Sequence, residues 1–246
     1  MGLTLHYRLQ GPLRASDARA RTLVAAMRSA ALKLKRAGHL AAVGAISSDS
    51  EDLRWLSEWL QARVPGEPDT TRGIEVPAVA GHVFLVSLGA DSEPLRLGLC
   101  RYPTRVKDPL TGRLRSVRHR GWRLAGFCKT QYASLHGWEH FRRCHVAAVE
   151  LLTGFSALGV AVEISDEGGY WPNRDEAALR ESVERMNGIV AALAGAMKDA
   201  ADETGASPVR SPIFAHPQFE RLEAEGATQH ATKIAAALRE LGREET

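Results

Sequence analysis

Two segments of this sequence carry the polar side chains best suited to catalysis, CKTQY at residues 128–132 and SDEGGYW at residues 165–171. Each follows an apolar run that predicts a β-strand. If those strands lie side by side, Lys129 would face Asp166 and Glu167 across one edge of a sheet. A carboxylate pair can bind Mg²⁺ or perform acid–base chemistry, and a lysine can neutralise a phosphate. We therefore predict these three residues as catalytic, with Mg²⁺ as the one cofactor they could require.

Aromatic side chains also lie within these two segments. Tyr132, Tyr170 and Trp171 are predicted to bind a ligand, because an aromatic ring can stack on a planar group. A structural interpretation fits the same residues. Lys129 would then pair with Asp166, the two glycines would form a turn, and Tyr170 and Trp171 would act as a hydrophobic staple before a helix.

A second candidate is a cationic segment. Residues 101–123 contain eight Lys and Arg against one acid, Asp108, a local net charge of +7 in a chain of net charge +3. DPLTG at 108–112 predicts a turn between RYPTRVK at 101–107 and RLRSVRH at 113–119, so these two segments should form a two-stranded basic ribbon. Such a ribbon can follow a phosphate backbone or enter a groove. The residues predicted to bind are Arg105, Lys107, Arg113 and Arg115.

The ribbon leads to the functional hypothesis. We expect it to bind a phosphate-bearing ligand, most simply nucleic acid, with metal-assisted phosphoester chemistry at Lys129, Asp166 and Glu167. The alternative is a non-catalytic interaction module whose basic face docks an acidic protein partner. A run of basic residues is also a common solvated strand edge, and the aromatic side chains that single-strand binders interleave are sparse here.

HGWEHFRRCH, residues 136–145, contains three histidines and a cysteine, side chains that bind zinc, but their spacing on a helix does not fit one metal site. On a helix, His136 and Cys144 lie about 12 Å apart along the axis, too far to share one ion. The helical pattern places Cys144 and His145 on the apolar face, His140 at the boundary and His136 outside. We predict no metal ligands in this segment. In the alternative, two neighbours of the row would share an ion with donors from elsewhere, for which Asp166 and Glu167 are the candidates.

The elements that must position these residues follow from periodicity and stop signals. The first half is predicted to contain a strand at 3–9, a helix capped by Ser16 and running to Ala37, a strand at 41–46, a helix at 51–64 ended by Pro65, and a loop at 65–80. The central region is then predicted to form successive antiparallel strands from 82 to 128 with short connections.

The second half is predicted to contain a helix from His136 to about Leu158, a strand at 160–164, and a long helix begun by a capping box of Asn173 and Glu176. The sum is an α+β fold with an antiparallel or mixed sheet of about six to eight strands covered by three to four helices. Residues 1–204 are predicted to form a single domain. Residues 205–246 are predicted to be a loop and short helices packed on or beside it.

Composition excludes several classes of protein. The chain of 246 residues is 44% hydrophobic and 25% charged, typical of an ordinary globular protein. It has neither a signal-peptide pattern nor an apolar run long enough for a membrane span, so a cytoplasmic protein without membrane partners is expected. Three cysteines without CxxC spacing argue against a disulfide framework and a zinc ribbon. No nucleotide-binding loop, zincin or hydrolase-elbow motif is present.

The segments GLCRYP at 98–103, GWRLAGFCKTQYAS at 121–134, RCH at 143–145 and SDEGGYW at 165–171 carry a resemblance, as does the opening MGLTLHYRL. Together they resemble a family of uncharacterised bacterial proteins over about the first 200 residues. The resemblance implies a bacterial, cytoplasmic setting and assigns no activity or catalytic residue.

Overall fold

The protein is an α+β fold built on one six-stranded antiparallel sheet, as predicted. The structure is a computed structural model and describes residues 3–54, 56–64, 67–117, 120–205, 207–229 and 231. The strands of the sheet span Thr4–Gln10 (β1), Ala42–Val43 (β2), Ala80–Ser87 (β5), Leu95–Arg101 (β6), Arg123–Lys129 (β9) and Ala161–Asp166 (β10). Their order in the sheet is β10-β1-β9-β6-β5-β2.

One face of the sheet is covered by helices, and the opposite face is open along β1 and β9. The helices are Asp17–Arg36 (α1), Ser50–Arg54 (α2), Trp138–Gly154 (α3) and Glu176–Thr204 (α4), with 3₁₀ turns at Gln131–His136, Phe155–Leu158 and Pro212–Ala215. In β1, Leu5, Tyr7 and Leu9 are buried in the core, while His6 and Arg8 are exposed. This period-two alternation is that of a sheet with one covered face.

Tyr7 closes a gap in the middle of the sheet. Strands β6 and β9 are paired at Cys100 and Arg123. Beyond that point the Tyr7 hydroxyl reaches β6, donating to the Arg96 carbonyl at 2.7 Å and accepting from the Arg96 N–H at 3.2 Å. The Tyr7 ring crosses β9 at Gly126, where a Cβ would lie 2.6 Å from its Cζ. Glycine at 126 is therefore required by the close approach of the ring.

The predicted helix at 51–64 and loop at 65–80 are wrong. Helix α2 ends at Arg54, and the chain then forms a hairpin of Glu58–Val64 (β3) and Glu67–Val76 (β4). Leu60 lies opposite Ile74 in the register, and the Trp59 ring packs over Gly73. A segment this short fits either period, so pairing with the β-branched residues of β4 decided its conformation.

The predicted capping box is also displaced. The N-cap of α4 is Asp175, whose Oδ1 accepts hydrogen bonds from the N–H groups of Ala177 and Ala178 at 2.9 and 3.0 Å. Glu176 instead accepts from Arg142 on α3 at 2.6 Å. An aspartate N-cap satisfies the free amides of the first turn as well as Asn173 would, and it lies closer to the helix. By contrast, Ser16 caps α1 as predicted.

The C-terminal segment packs on the second half of α4. Ile213 and Leu222 form a small apolar cluster with Ala191 and Ala194, apart from the main core. Residues 219–229 are helical and cross α4 where Gly226 meets the backbone of Gly188. Among the residues that the structure describes, no helix combines the length and apolar character that crossing a bilayer requires.

Candidate functional site

The two regions predicted to act together lie at opposite ends of the sheet. The basic ribbon joins the end of β6 to the start of β9, whereas Lys129 is the last residue of β9. Strands β9 and β10 both run antiparallel to β1, so Lys129 and Asp166 do finish at the same end. Seven residues of β9, about 20 Å of strand, separate that end from the ribbon. The ribbon and the predicted catalytic residues therefore share no cleft.

Lys129 and Asp166 also lie on opposite faces of the sheet. Strand β1 separates β9 from β10, so the two strands are not neighbours as the sequence hypothesis required. Asp166 pairs in the register with Leu5 on the covered face, whereas Lys129 pairs with Thr4, one residue away. Successive residues of a strand point to opposite faces. The expectation that Lys129, Asp166 and Glu167 line one cleft is therefore wrong.

Asp166 belongs to a fully buried hydrogen-bonded network. Its carboxylate lies 3.2 Å from Nε2 of His145 and accepts from the N–H groups of Gly168 and Trp171 at 2.7 and 2.9 Å. The other ring nitrogen, Nδ1, lies 2.9 Å from Oγ1 of Thr130. Burial alone would raise the pKa of Asp166, but the hydrogen bond and charge of His145 lower it, as do the two amides. This network ties β9, β10 and α3 together.

The remaining predicted residues of this region also have structural contacts. Glu167 accepts from the Thr4 N–H at 3.0 Å and approaches His6 at 3.4 Å. The backbone N–H of Lys129 donates to Oε2 of Glu93 at 3.0 Å. Tyr170 is buried with its ring edge-on to His145.

Trp171 and Tyr132 are the two predicted aromatic ligand-binding residues that are not fully buried. Trp171 is half-buried beneath the guanidinium of Arg174, 5.7 Å from the ring centroid. Tyr132 is half-buried in the 3₁₀ turn Gln131–His136. The prediction that Tyr170 stacks on a ligand conflicts with its burial, whereas the roles of Trp171 and Tyr132 stay predictions.

The basic ribbon forms as predicted, from Arg105–Lys107 (β7) and Leu114–Ser116 (β8). It is a separate two-stranded sheet. Arg105 pairs with Ser116 and Lys107 with Leu114, so both cations project from one face, and both are exposed. Arg115 lies opposite Val106 and therefore projects from the other face.

Asp108, the only acid of the segment 101–123, is turned inward. Its side chain is fully buried and accepts hydrogen bonds from the N–H groups of Leu110 and Thr111 at 2.9 and 3.1 Å. Arg72 of β4 and Arg115 both pair with it. Burial alone would raise the pKa of Asp108, but the bonds from the Thr111 and Leu110 amides and from Arg72 hold it well below its ordinary value. Arg115 therefore holds the ribbon to the buried Asp108, and its positive charge is largely neutralised by that carboxylate.

The helix wheel of HGWEHFRRCH is confirmed. Cys144 and His145 are fully buried, His140 is half-buried and His136 is exposed. His136 pairs with Asp91 at 2.6 Å, and Nε2 of His140 lies 3.0 Å from the Ala90 carbonyl. Within the described part of the chain, no three His, Cys, Asp or Glu side chains are grouped closely enough to hold a metal ion.

A groove that the sequence hypothesis missed lies on the open face of the sheet. It has a volume of about 1040 Å³ between the sheet and the β3–β4 hairpin. Trp59 and Phe127, both more than half exposed, line it together with Arg8, Arg96 and Glu163. The alternation of β1 and β9 indicates an open face, but the wall of the groove is made by β3 and β4, which were predicted as a helix and a loop.

Comparisons of the chain with protein-family models, curated proteins and solved structures found no match.

Proposed function

We propose that the protein binds a phosphate-bearing polymer, nucleic acid, through the exposed face of the basic ribbon. The observation that carries the proposal is the burial of Asp108 between Arg72 and Arg115. The negative charge of Asp108, the one carboxylate of residues 101–123, is thereby neutralised by two arginines. It therefore does not offset the positive charges of Arg105 and Lys107 on the exposed face of the ribbon.

The spacing of the exposed cations suits a repeating anion. Arg105 and Lys107 are two residues apart on one face of a strand, about 6.4–6.8 Å, which is close to the distance between successive phosphates along a nucleic-acid strand. Arg113 adds an exposed cation beside the turn. Such contacts bind the backbone without reading its sequence.

The proposal concerns binding alone. Asp166 is buried in its pair with His145 on the covered face, away from Lys129 and from the ribbon. Metal-assisted phosphoester chemistry at Lys129, Asp166 and Glu167 therefore has no geometric support as a shared site, and it forms no part of the proposed function.

The test is fluorescence anisotropy with a short labelled duplex DNA and a labelled single-stranded RNA over a salt series. Each phosphate contact contributes about −0.9 to the slope of log K against log salt on duplex DNA. Arg105→Glu with Lys107→Glu should weaken binding strongly and reduce the slope by about 1.8. Arg19→Glu with Arg21→Glu, the same charge change on exposed positions of α1, is the matched control. Binding that is indifferent to salt or to the ribbon variant contradicts the proposal.

An acidic protein partner is the second candidate, because the same exposed cations would attract carboxylates. Affinity capture from a host lysate with nuclease separates the two. A partner that is retained after nuclease treatment and lost with the Arg105→Glu/Lys107→Glu variant favours the protein interaction. Capture that disappears with nuclease favours nucleic acid.

A further inference from the structure

A second hydroxyl–histidine–carboxylate arrangement lies near the base of the basic ribbon, where His82 pairs with Leu99 of β6 and stacks on Trp122, and it includes exposed residues. Oγ of Ser48 lies 2.7 Å from Nδ1 of His82, and Nε2 of His82 lies 3.1 Å from Oδ1 of Asp17. The three residues come from three elements: the loop after β2, strand β5 and the first turn of α1. Both ring nitrogens of His82 are therefore occupied by side chains.

The histidine is held rigidly, and the serine and the aspartate on either side of it are exposed residues. The His82 side chain is 4% exposed, whereas Ser48 and Asp17 are exposed residues. The His82 ring stacks on Trp122, with centroids 5.6 Å apart and planes 16° apart. Trp122 is itself fixed by donating from Nε1 to the Ala15 carbonyl at 3.0 Å. This arrangement fixes both the plane and the edges of the imidazole.

The backbone beside Ser48 is also fixed. Ser47 exchanges two hydrogen bonds with Val83, at 2.8 and 2.9 Å, which fasten the loop to the residue after His82. The Ser47 hydroxyl accepts from the Asp49 N–H at 3.1 Å and so stabilises the turn. The adjacent Ser48 hydroxyl instead projects to the imidazole. The two neighbouring serines thus have different roles, which supplies a matched control.

The buried network of Thr130, His145 and Asp166 provides an internal comparison. It has the same order, with the hydroxyl on Nδ1 and the carboxylate on Nε2. Thr130, His145 and the Asp166 side chain are all 0% exposed, so no substrate can approach that hydroxyl. The arrangement at Ser48 differs in the one property that a nucleophile needs, access.

We propose that Ser48, His82 and Asp17 form an acyl-transfer site that hydrolyses carboxylic esters. Ser48 is the nucleophile, His82 the general base and acid, and Asp17 a positioning residue. A Ser–His pair within hydrogen-bond reach, oriented by a third group, is the signature of an activated hydroxyl. With the ring proton on Nε2, His82 donates to Asp17 and accepts the Ser48 proton at Nδ1.

Water is the only reactant that the hydrolysis requires besides the ester. Ser48 Oγ forms a bond to the ester carbonyl carbon as its proton moves to Nδ1 of His82. The bond from that carbon to the alcohol oxygen then breaks, and His82 returns the proton to the leaving alcohol. Water attacks the acyl-serine in the same way, which releases the carboxylic acid and restores Ser48. Arg101, whose guanidinium lies 5.8 Å from the Trp122 ring centroid, places a positive charge beside this site.

The experiment uses the full chain with a fluorophosphonate probe and with p-nitrophenyl acetate. Intact mass and peptide mapping should show one adduct per chain, at Ser48, and ester hydrolysis should be lost in Ser48→Ala. Ser47→Ala should keep both activities. Asp17→Asn should slow labelling by at least about 100-fold, because loss of the orienting carboxylate in such a triad costs up to about 10⁴-fold. The labelling rate of the unaltered chain should rise with pH, because the base that accepts the Ser48 proton is the uncharged imidazole.

Each outcome decides for or against the site. The absence of a Ser48 adduct from folded protein, equal labelling of Ser47 and Ser48, or an unchanged rate and pH profile in Asp17→Asn would overturn the proposal. Circular dichroism of Asp17→Asn, altered at an exposed position, verifies that the variant is folded. This test is independent of nucleic-acid binding, since the ribbon variant should label at the unaltered rate.

Discussion

Histidines 82 and 145 have the same local chemistry and differ in access. Each lies between a hydroxyl on Nδ1 and a carboxylate on Nε2. At His145 the whole network is enclosed, so its role is to satisfy buried polar groups and to fasten β10 to α3. At His82 the serine is open to solvent, which makes proton transfer to a bound molecule feasible.

At the residue scale, we predict that Asp166→Ala lowers the free energy of unfolding by about 3–5 kcal/mol at neutral pH, because it leaves His145 unpaired in the core. The pKa of Asp166 is lowered in the folded state, so its stabilisation is present above the ordinary carboxyl range and is lost as pH falls through the folded pKa. Urea unfolding over a pH series should show the difference from the unaltered protein shrinking in acid.

The control for that change is Glu163→Ala on the same strand. Glu163 is 77% exposed and lies 3.7 Å from Arg8. Removing a surface pair of this kind should change stability by less than about 1 kcal/mol. A deficit in Asp166→Ala that is no larger than this, or that persists unchanged in acid, would contradict the structural role of the pair.

At the scale of elements, the sheet depends on its central strand. Strand β1 lies between β9 and β10, so it both completes the sheet and separates Lys129 from Asp166. Its Tyr7 spans the gap to β6 across Gly126. Burial raises the pKa of Tyr7 far above its ordinary value, so the phenol stays a hydrogen-bond donor throughout the physiological range.

We predict that Gly126→Ala destabilises the protein by about 1–3 kcal/mol, because the new methyl group overlaps the Tyr7 ring in a packed core. Gly154→Ala, at the end of α3 with no atom within 4 Å, should be neutral or stabilising by up to about 1 kcal/mol. Thermal unfolding of both variants measures the difference. Equal melting temperatures would show that the ring does not occupy that position.

At the scale of the molecule, charge and core are each divided into separate regions. The basic ribbon lies at one end of the sheet. Residues 163–185, with seven Asp and Glu against three Arg, begin on the edge strand β10. The C-terminal segment has its own apolar cluster on α4, separate from the main core. The C-terminal segment should therefore detach from α4 without unfolding of the sheet.

We predict that Leu222→Ala weakens this docking by about 2–5 kcal/mol, the usual cost of emptying a buried leucine site. Hydrogen exchange should then accelerate in residues 212–226 while β1 and β9 remain protected. Acceleration that spreads equally to both strands would instead mean that the tail and the sheet unfold as one unit.

The sequence by itself determined the local features. Period-two alternation in β1 and the apolar stripe of α3 identified which side chains are buried, and the turn at Asp108 located the ribbon. Periodicity shows which face of an element is covered because burial repeats with the backbone geometry. It also gave the α+β class, since strands joined by short connections and followed by helices leave few other arrangements.

The tertiary structure alone decided which elements are neighbours. The β3–β4 hairpin formed where a helix and a loop were predicted, because the pairing of its strands does not follow from local pattern. The insertion of β1 between β9 and β10 separated Lys129 from Asp166, and their registers against Thr4 and Leu5 placed them on opposite faces. Residues 17, 48 and 82 met at one point although no local motif joins them. Local pattern carries no information on which strand pairs with which, and both the loss of the predicted cleft and the gain of the serine site follow from that pairing.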